Sequence, residues 1–176
     1  MFKKILLTLS LLWSSHMANA DSNDVIMELE HGIVHIRLFP DVAPNTVARF
    51  KELVSSGFYD KVVFHRVIEG FMAQTGDPTG TGMGGSGKKQ KAEFSKVKHK
   101  RGIVSMARAM DPDSADSQFF IMLDDSPHLD GQYTVFGEVT QGMEYVDMIK
   151  KGLPTENGMV EDPDIILRMF MTEETK

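Results

Sequence analysis

The run Phe64-His65-Arg66-Val67-Ile68-Glu69-Gly70-Phe71-Met72-Ala73-Gln74-Thr75-Gly76-Asp77 holds the side chains best placed to do chemistry. An arginine inside an apolar strand pair is costly to bury unless a polar or anionic group meets it. On strand alternation, Phe64, Arg66 and Ile68 share one face. Phe71 and Met72 offer apolar surface nearby, and Gln74 offers an amide. Gln118-Phe119-Phe120-Ile121 repeats the pattern, with apolar residues beside one amide. A site lined by Phe, Met and Leu with one Arg and two Gln suits a neutral, compact, apolar group that carries carbonyls. It holds no nucleophile–base pair, so it offers no route to covalent hydrolysis.

Other motifs fail when their chemistry is checked. Gly82 to Lys88 matches a phosphate-binding loop up to its lysine, but Lys89 stands where a Ser or Thr would hold magnesium. Gly80, Gly82 and Gly85 fit G-x-G-x-x-G, yet no crossover helix follows, so the stretch reads as a plain glycine loop. Asp111, Asp113 and Asp116 open like a calcium loop. Asp116 and Met122 then occupy the sixth and twelfth positions, which need glycine and glutamate. His31, His35, His65, His99 and His128 show no metal-ligand spacing, and Gly84-Gly85-Ser86-Gly87-Lys88 lacks the closing glycine of a nucleophile elbow. No metal and no cofactor are expected. Seven of the fourteen residues from Lys88 to Arg101 are basic. They read as a solvated loop, with an anionic partner as the alternative.

The elements that must position these groups are short. Val25, Met27 and Leu29 alternate with Ile26, Glu28 and Glu30, giving a strand over 25–30, and Val34, Ile36 and Leu38 continue the period beyond His31-Gly32 as a hairpin. Pro44 opens a helix over 44–55 whose apolar face is Val47, Phe50, Leu53 and Val54, with Gly57 as its stop. Further strands are expected at Val62–Val67, Phe71–Gln74, Ile103–Ala107, Gln118–Met122, Thr134–Val139 and Ile165–Phe170, and a second helix at Gly142–Lys150. Many strands with two helices argue against a doubly wound sheet and for a mainly β, closed or nearly closed antiparallel barrel with helices at its ends.

Composition sets the outer bounds. The chain has 176 residues, 41% apolar and 9% aromatic, which suits one domain. It has no cysteine, which excludes disulfides, thiol nucleophiles and thiolate metal sites. A net charge of −6 is a poor start for binding a phosphate backbone, so no nucleic-acid partner is expected. Lys3 and Lys4, an apolar run Ile5–Trp13 broken only by Thr8 and Ser10, and Ala18-Asn19-Ala20 form the three parts of a secretory signal peptide. The run is well short of the roughly 20 residues of a membrane span. Residues 1–20 are expected to be removed, leaving a domain over 21–176. Loss of the two leader lysines moves the charge from −6 to −8. The expected compartment is the periplasm, with no stable membrane anchor.

These residues resemble the cyclophilin family of peptidyl-prolyl cis–trans isomerases over nearly all of 25–170. The resemblance is carried by Phe64–Asp77, the loop Gly80–Gly87, Gly102-Ile103-Val104-Ser105-Met106-Ala107, Ser117–Ile121, His128-Leu129-Asp130-Gly131 and Val135-Phe136-Gly137. The short Gly76-Asp77-Pro78-Thr79-Gly80 connection is similar to the bacterial branch. The resemblance implies a closed eight-stranded antiparallel β-barrel with two capping α-helices. It implies that Arg66 is catalytic and that Phe71, Met72, Phe120 and Leu129 form a proline pocket. Gln74 would hold a substrate carbonyl, the backbone at Ala107 and Arg108 would pair with the peptide, and His65, Gly80 and Gln118 would complete the groove.

Three positions depart from the common eukaryotic pattern. His128 stands for Trp, Tyr133 for His and Arg108 for Asn. His128 lacks the indole donor and flat wall, so weak cyclosporin binding is expected. Contacts at Arg108 run through backbone in the family, so its side chain is expected to contribute little. The expected partners are proline-containing peptides and unfolded exported proteins, bound by a monomer. The alternative is a module that holds proline-bearing segments with little turnover.

Overall fold

The computed structural model describes residues 22–172, so the signal-peptide reading of 1–20 lies outside the described residues. Eight strands and two helices follow in chain order. They are β1 (Asp24–Leu29), β2 (Gly32–Leu38), α1 (Pro44–Ser55), β3 (Arg66–Ile68), β4 (Met72–Thr75), β5 (Ile103–Met106), β6 (Phe119–Met122), β7 (Val135–Gln141), α2 (Met143–Met148) and β8 (Arg168–Met171). Every pairing is antiparallel, in the order β3-β4-β6-β5-β7-β2-β1-β8.

The β1–β2 hairpin forms where alternation predicts it, with Val25, Met27, Val34 and Ile36 all fully buried. Helix α1 keeps its predicted bounds because both ends are chemically marked. Pro44 occupies its first turn, and Gly57 at φ 71° closes it. The Gly57 amide donates to the Val54 carbonyl and the Phe58 amide to that of Leu53, both at 3.0 Å, the paired bonds of a Schellman stop. Ala43 provides no side-chain cap. Glu93, from the basic loop, caps the helix instead, accepting from the amides of Asn45 (3.1 Å) and Thr46 (2.8 Å).

The expected closed barrel is corrected: the sheet is an open half-barrel with β3 and β8 as its free ends. β3 has only three residues. The segment facing it carries positive φ at Asn157, Gly158 and Asp162 and has Pro163, so it makes isolated bridges (Arg66 with Met159, Val63 with Ile165) rather than a ladder. The same interruptions shorten the expected strands at Val62–Val67 and Ile165–Phe170. Helix α2 also starts later and stops earlier than 142–150, because Gly142 is left-handed and Ile149 is extended.

Alternation along the short strands separates two cores. Phe119 and Ile121 face a large cluster with Phe50, Tyr59 and Phe136 under α1. Phe120 and Met122 face the other way, into a smaller cluster with Met72, Leu129 and Val135. The registers Arg66↔Gln74, Gln74↔Phe120 and Ser105↔Phe120 set those four residues in one row across β3, β4, β6 and β5, on the side of the smaller cluster.

Candidate active site

That row ends in a pocket of about 170 Å³. Its walls are Phe71, Met72, Phe120, Leu129 and Tyr133, and its polar lining comes from Arg66 and Gln74. Phe120 and Leu129 are buried, Phe71 is half-buried at the mouth, and His128 lies exposed on the rim with its ring 5.6 Å from that of Phe71. Pairing across β3 and β4 brings Arg66 and Gln74 together, and Arg66 Nη1 donates to Gln74 Oε1 at 3.2 Å. Burial draws the Arg66 pKa down, which leaves a guanidinium charged at every ordinary pH. Among the described residues, no carboxylate pairs with it.

Its other donors are held by Asn157, a residue the sequence reading missed. Arg66 Nε donates to the Asn157 carbonyl at 2.9 Å and Nη2 to Asn157 Oδ1 at 3.0 Å. Asn157 sits at φ 54° at the end of the 3-10 turn Pro154–Glu156. The one sequence signal was Asn157-Gly158, a pair suited to a left-handed turn. The two bonds pin the guanidinium from behind, so that Nη1, also 4.0 Å from the Met72 sulfur, is the edge turned toward Gln74 and the pocket.

Gln118 turns out to be a brace. Its Nε2 donates to the carbonyls of Gly82 (3.0 Å) and Gly84 (2.9 Å), and its Oε1 accepts from Gln74 Nε2 at 2.9 Å. Gln74 keeps one N–H for a ligand carbonyl. The Ala107 amide is already donated to the Gln118 carbonyl at 2.9 Å, so a peptide pairing there would use the Ala107 carbonyl. Arg108 does more than its backbone role implied. Its guanidinium lies 4.6 Å from the Tyr133 ring centre and donates to the carbonyls of Gln132, Ala109 and Met110. Ala107 and Arg108 also line a second cleft of about 300 Å³ along Gly82–Gly85 and Gln118.

His65 and Gly80 stand away from this pocket. His65 is buried beneath Gly82, and neither ring nitrogen has a hydrogen-bond partner among the described residues. Burial pushes its pKa below the usual histidine value, against the pull of Asp77, so the ring is neutral at pH 7. Gly80 lies against Val63 and lines neither cleft. No group of three His, Asp or Glu side chains among the described residues could hold a metal ion.

Residues 24–170 match the family model for cyclophilin type peptidyl-prolyl cis-trans isomerases. The chain belongs to the cyclophilin family. A probable peptidyl-prolyl cis-trans isomerase of Brucella suis is 51% identical over 166 residues, covering 88% of this chain and 85% of that protein. Peptidyl-prolyl cis-trans isomerase B of Bacillus subtilis is 46% identical over 121 residues, covering 68% and 84%. A crystal structure of a Cryptosporidium parvum cyclophilin, obtained in the presence of the dipeptide Ala-Pro, is similar with a TM-score of 0.79 and 33% identity, over 86% of this chain and 99% of that one. The activity of this cyclophilin is peptidyl-prolyl cis–trans isomerisation.

Proposed function

We propose that this cyclophilin turns X–Pro bonds in the Arg66 pocket and does so on exported proteins in the periplasm. Amide resonance sets a barrier of roughly 18–20 kcal/mol to rotation about the C–N bond. At the twisted transition state conjugation is lost and the proline nitrogen regains a localised lone pair. Arg66 Nη1 donates to that nitrogen, an interaction absent from both planar ground states, and only such a difference accelerates the step. One charged donor is worth about 3–4 kcal/mol by analogy with oxyanion donors. The remainder comes from Phe71, Met72, Phe120 and Leu129, which hold the pyrrolidine ring still while the preceding carbonyl turns. Gln74 receives a substrate carbonyl with its free N–H.

The observation that carries this reading is a cation with no carboxylate partner among the described residues, bordering an apolar pocket of about 170 Å³ beside a half-free amide. The test is exchange spectroscopy on an Ala-Pro peptide with the purified chain over 21–176. Accelerated cis–trans exchange with peptide-induced shifts at Phe120 and Leu129 supports the site; acceleration with those residues unmoved overturns it. Peptide binding without acceleration would favour the holding module, to which the same pocket is suited. The leader pattern supports export, and the chain recovered from a periplasmic fraction is expected to begin at Asp21. Recovery with Met1 intact from the cytoplasm would contradict that.

A further inference from the structure

Behind the pocket lies a polar cluster that isomerisation as described leaves unused. His99 precedes β5, and its side chain is 0% exposed. Its Nδ1 lies 3.2 Å from Asp130 Oδ1, its Nε2 lies 3.1 Å from Ser105 Oγ, and Ser105 Oγ is 2.9 Å from the Thr134 carbonyl. The order is that of a hydrolytic triad, but Ser105 is fully buried, so no substrate carbonyl reaches its hydroxyl. The Ser105 hydroxyl gives its single proton to the Thr134 carbonyl, so Nε2–H donates to Ser105 Oγ while Nδ1 faces Asp130, and the Met106 amide also donates to the Thr134 carbonyl at 2.9 Å.

Each member of this chain stands one step from a wall of the pocket. Asp130 follows Leu129, Thr134 follows Tyr133, and Ser105 pairs with Phe120 across β5 and β6. The His99 ring stacks on Phe120, with centroids 6.4 Å apart and planes at 22°, and meets Tyr133 edge-on at 6.4 Å. Its backbone is fastened as well. The His99 amide donates to Asp130 Oδ1 at 2.8 Å, and its carbonyl accepts from Ser126 at 2.7 Å. Three segments that wall the pocket therefore share one imidazole.

We propose that His99 is a positioning residue for the isomerase reaction: through Ser105 and Asp130 it locks Phe120, Leu129 and Tyr133 in the arrangement that grips the proline ring. A packing residue of similar size would fill the space without fixing the rings relative to one another. Polar bonds at both nitrogens set the imidazole plane, and that plane sets Phe120.

The proposal rests on the Arg66 pocket being the isomerase site, so the experiment separates the two. Ala-Pro peptide is titrated into the chain over 21–176, and Kd and enzyme-catalysed exchange are read separately. If Phe120 and Leu129 do not shift in the unsubstituted chain, the site reading falls and the relay with it. If they do, His99→Phe, which keeps a ring without either bond, is expected to hold Kd within about threefold while exchange slows at least about tenfold. The Phe120 ring resonances should move. Ser105→Ala and Asp130→Asn remove one bond each and give the same split should His99→Phe not fold. Val54→Ala, on the buried face of α1 in the other core, serves as the control for general loosening. Folded relay variants with unchanged exchange, or an equal loss in Val54→Ala, would overturn the proposal.

Discussion

Arg66 and Gln74 lie 8 residues apart and Phe120 comes from a much later strand, yet strand register puts all three in one row. That row was partly legible. Alternation rightly put Arg66 with Ile68 but wrongly added Phe64, which is buried in the larger core, and the cost of burying a cation demanded polar company. The company itself was not legible, because Asn157 lies 91 residues further along and reaches Arg66 only through a left-handed turn. Asn157→Gly keeps that turn and the carbonyl bond but removes Oδ1. It should lower turnover about fivefold, the effect of one hydrogen bond worth roughly 1 kcal/mol, with peptide affinity unchanged. Exchange spectroscopy checks this, and undiminished turnover would show that the second bond does not aim the guanidinium.

Among the elements, α1 was legible to the residue because proline and glycine mark its ends. The strands were legible in number but not in length, since their ends depend on partners distant in sequence. The glycine loop offered only phosphate-binding patterns that failed and no helix or strand periodicity. Its order comes from two carboxylates and one amide: Asp116 accepts from Ser86 and Gly87, Gln118 braces Gly82 and Gly84, and Asp77 gathers the rest.

Asp77 is fully buried and accepts from the amides of Thr79 (2.7 Å), Gly82 (2.6 Å) and Gly84 (3.0 Å). Burial alone would raise its pKa. The amides of Gly84 and Thr79, the Thr79 hydroxyl and the Gly82 amide overcome that and hold it at about 2, against 3.8 for a free carboxyl. A depressed folded pKa gives stability that is fully present above pH 3.8 and lost as pH falls toward 2. The loss is about 2 kcal/mol. Denaturant midpoints measured from pH 5 to pH 2 should therefore fall, and Asp77→Asn should remove this part of the fall. An equally steep decline in that variant would mean that other carboxylates carry it.

At the scale of the molecule, the sheet stays open where β3 and β8 fail to meet, and the segment from Gly152 to Ile166 covers the seam. Counting strands could not reveal this, because closure depends on whether a facing segment can form a ladder. Gly152 donates its amide to the Val67 carbonyl at 2.9 Å, and a Cβ there would collide with the carbonyls of Gly158 and Met159. Backbone cannot swing aside as a side chain can. Gly152→Ala should cost about 3 kcal/mol of stability, and because the same segment carries Asn157, it should slow turnover too. Chemical denaturation with parallel exchange measurements checks both, and a stable variant with slowed turnover would separate the seam from the fold.

The most direct measurement compares Arg66→Ala with the unsubstituted chain by exchange spectroscopy on an Ala-Pro peptide, with Kd taken from the same titration. The account predicts an intact fold, affinity within about threefold, and cis–trans exchange slowed about 10²- to 10³-fold, the equivalent of one charged donor lost at the transition state. Exchange as fast as in the unsubstituted chain would contradict it.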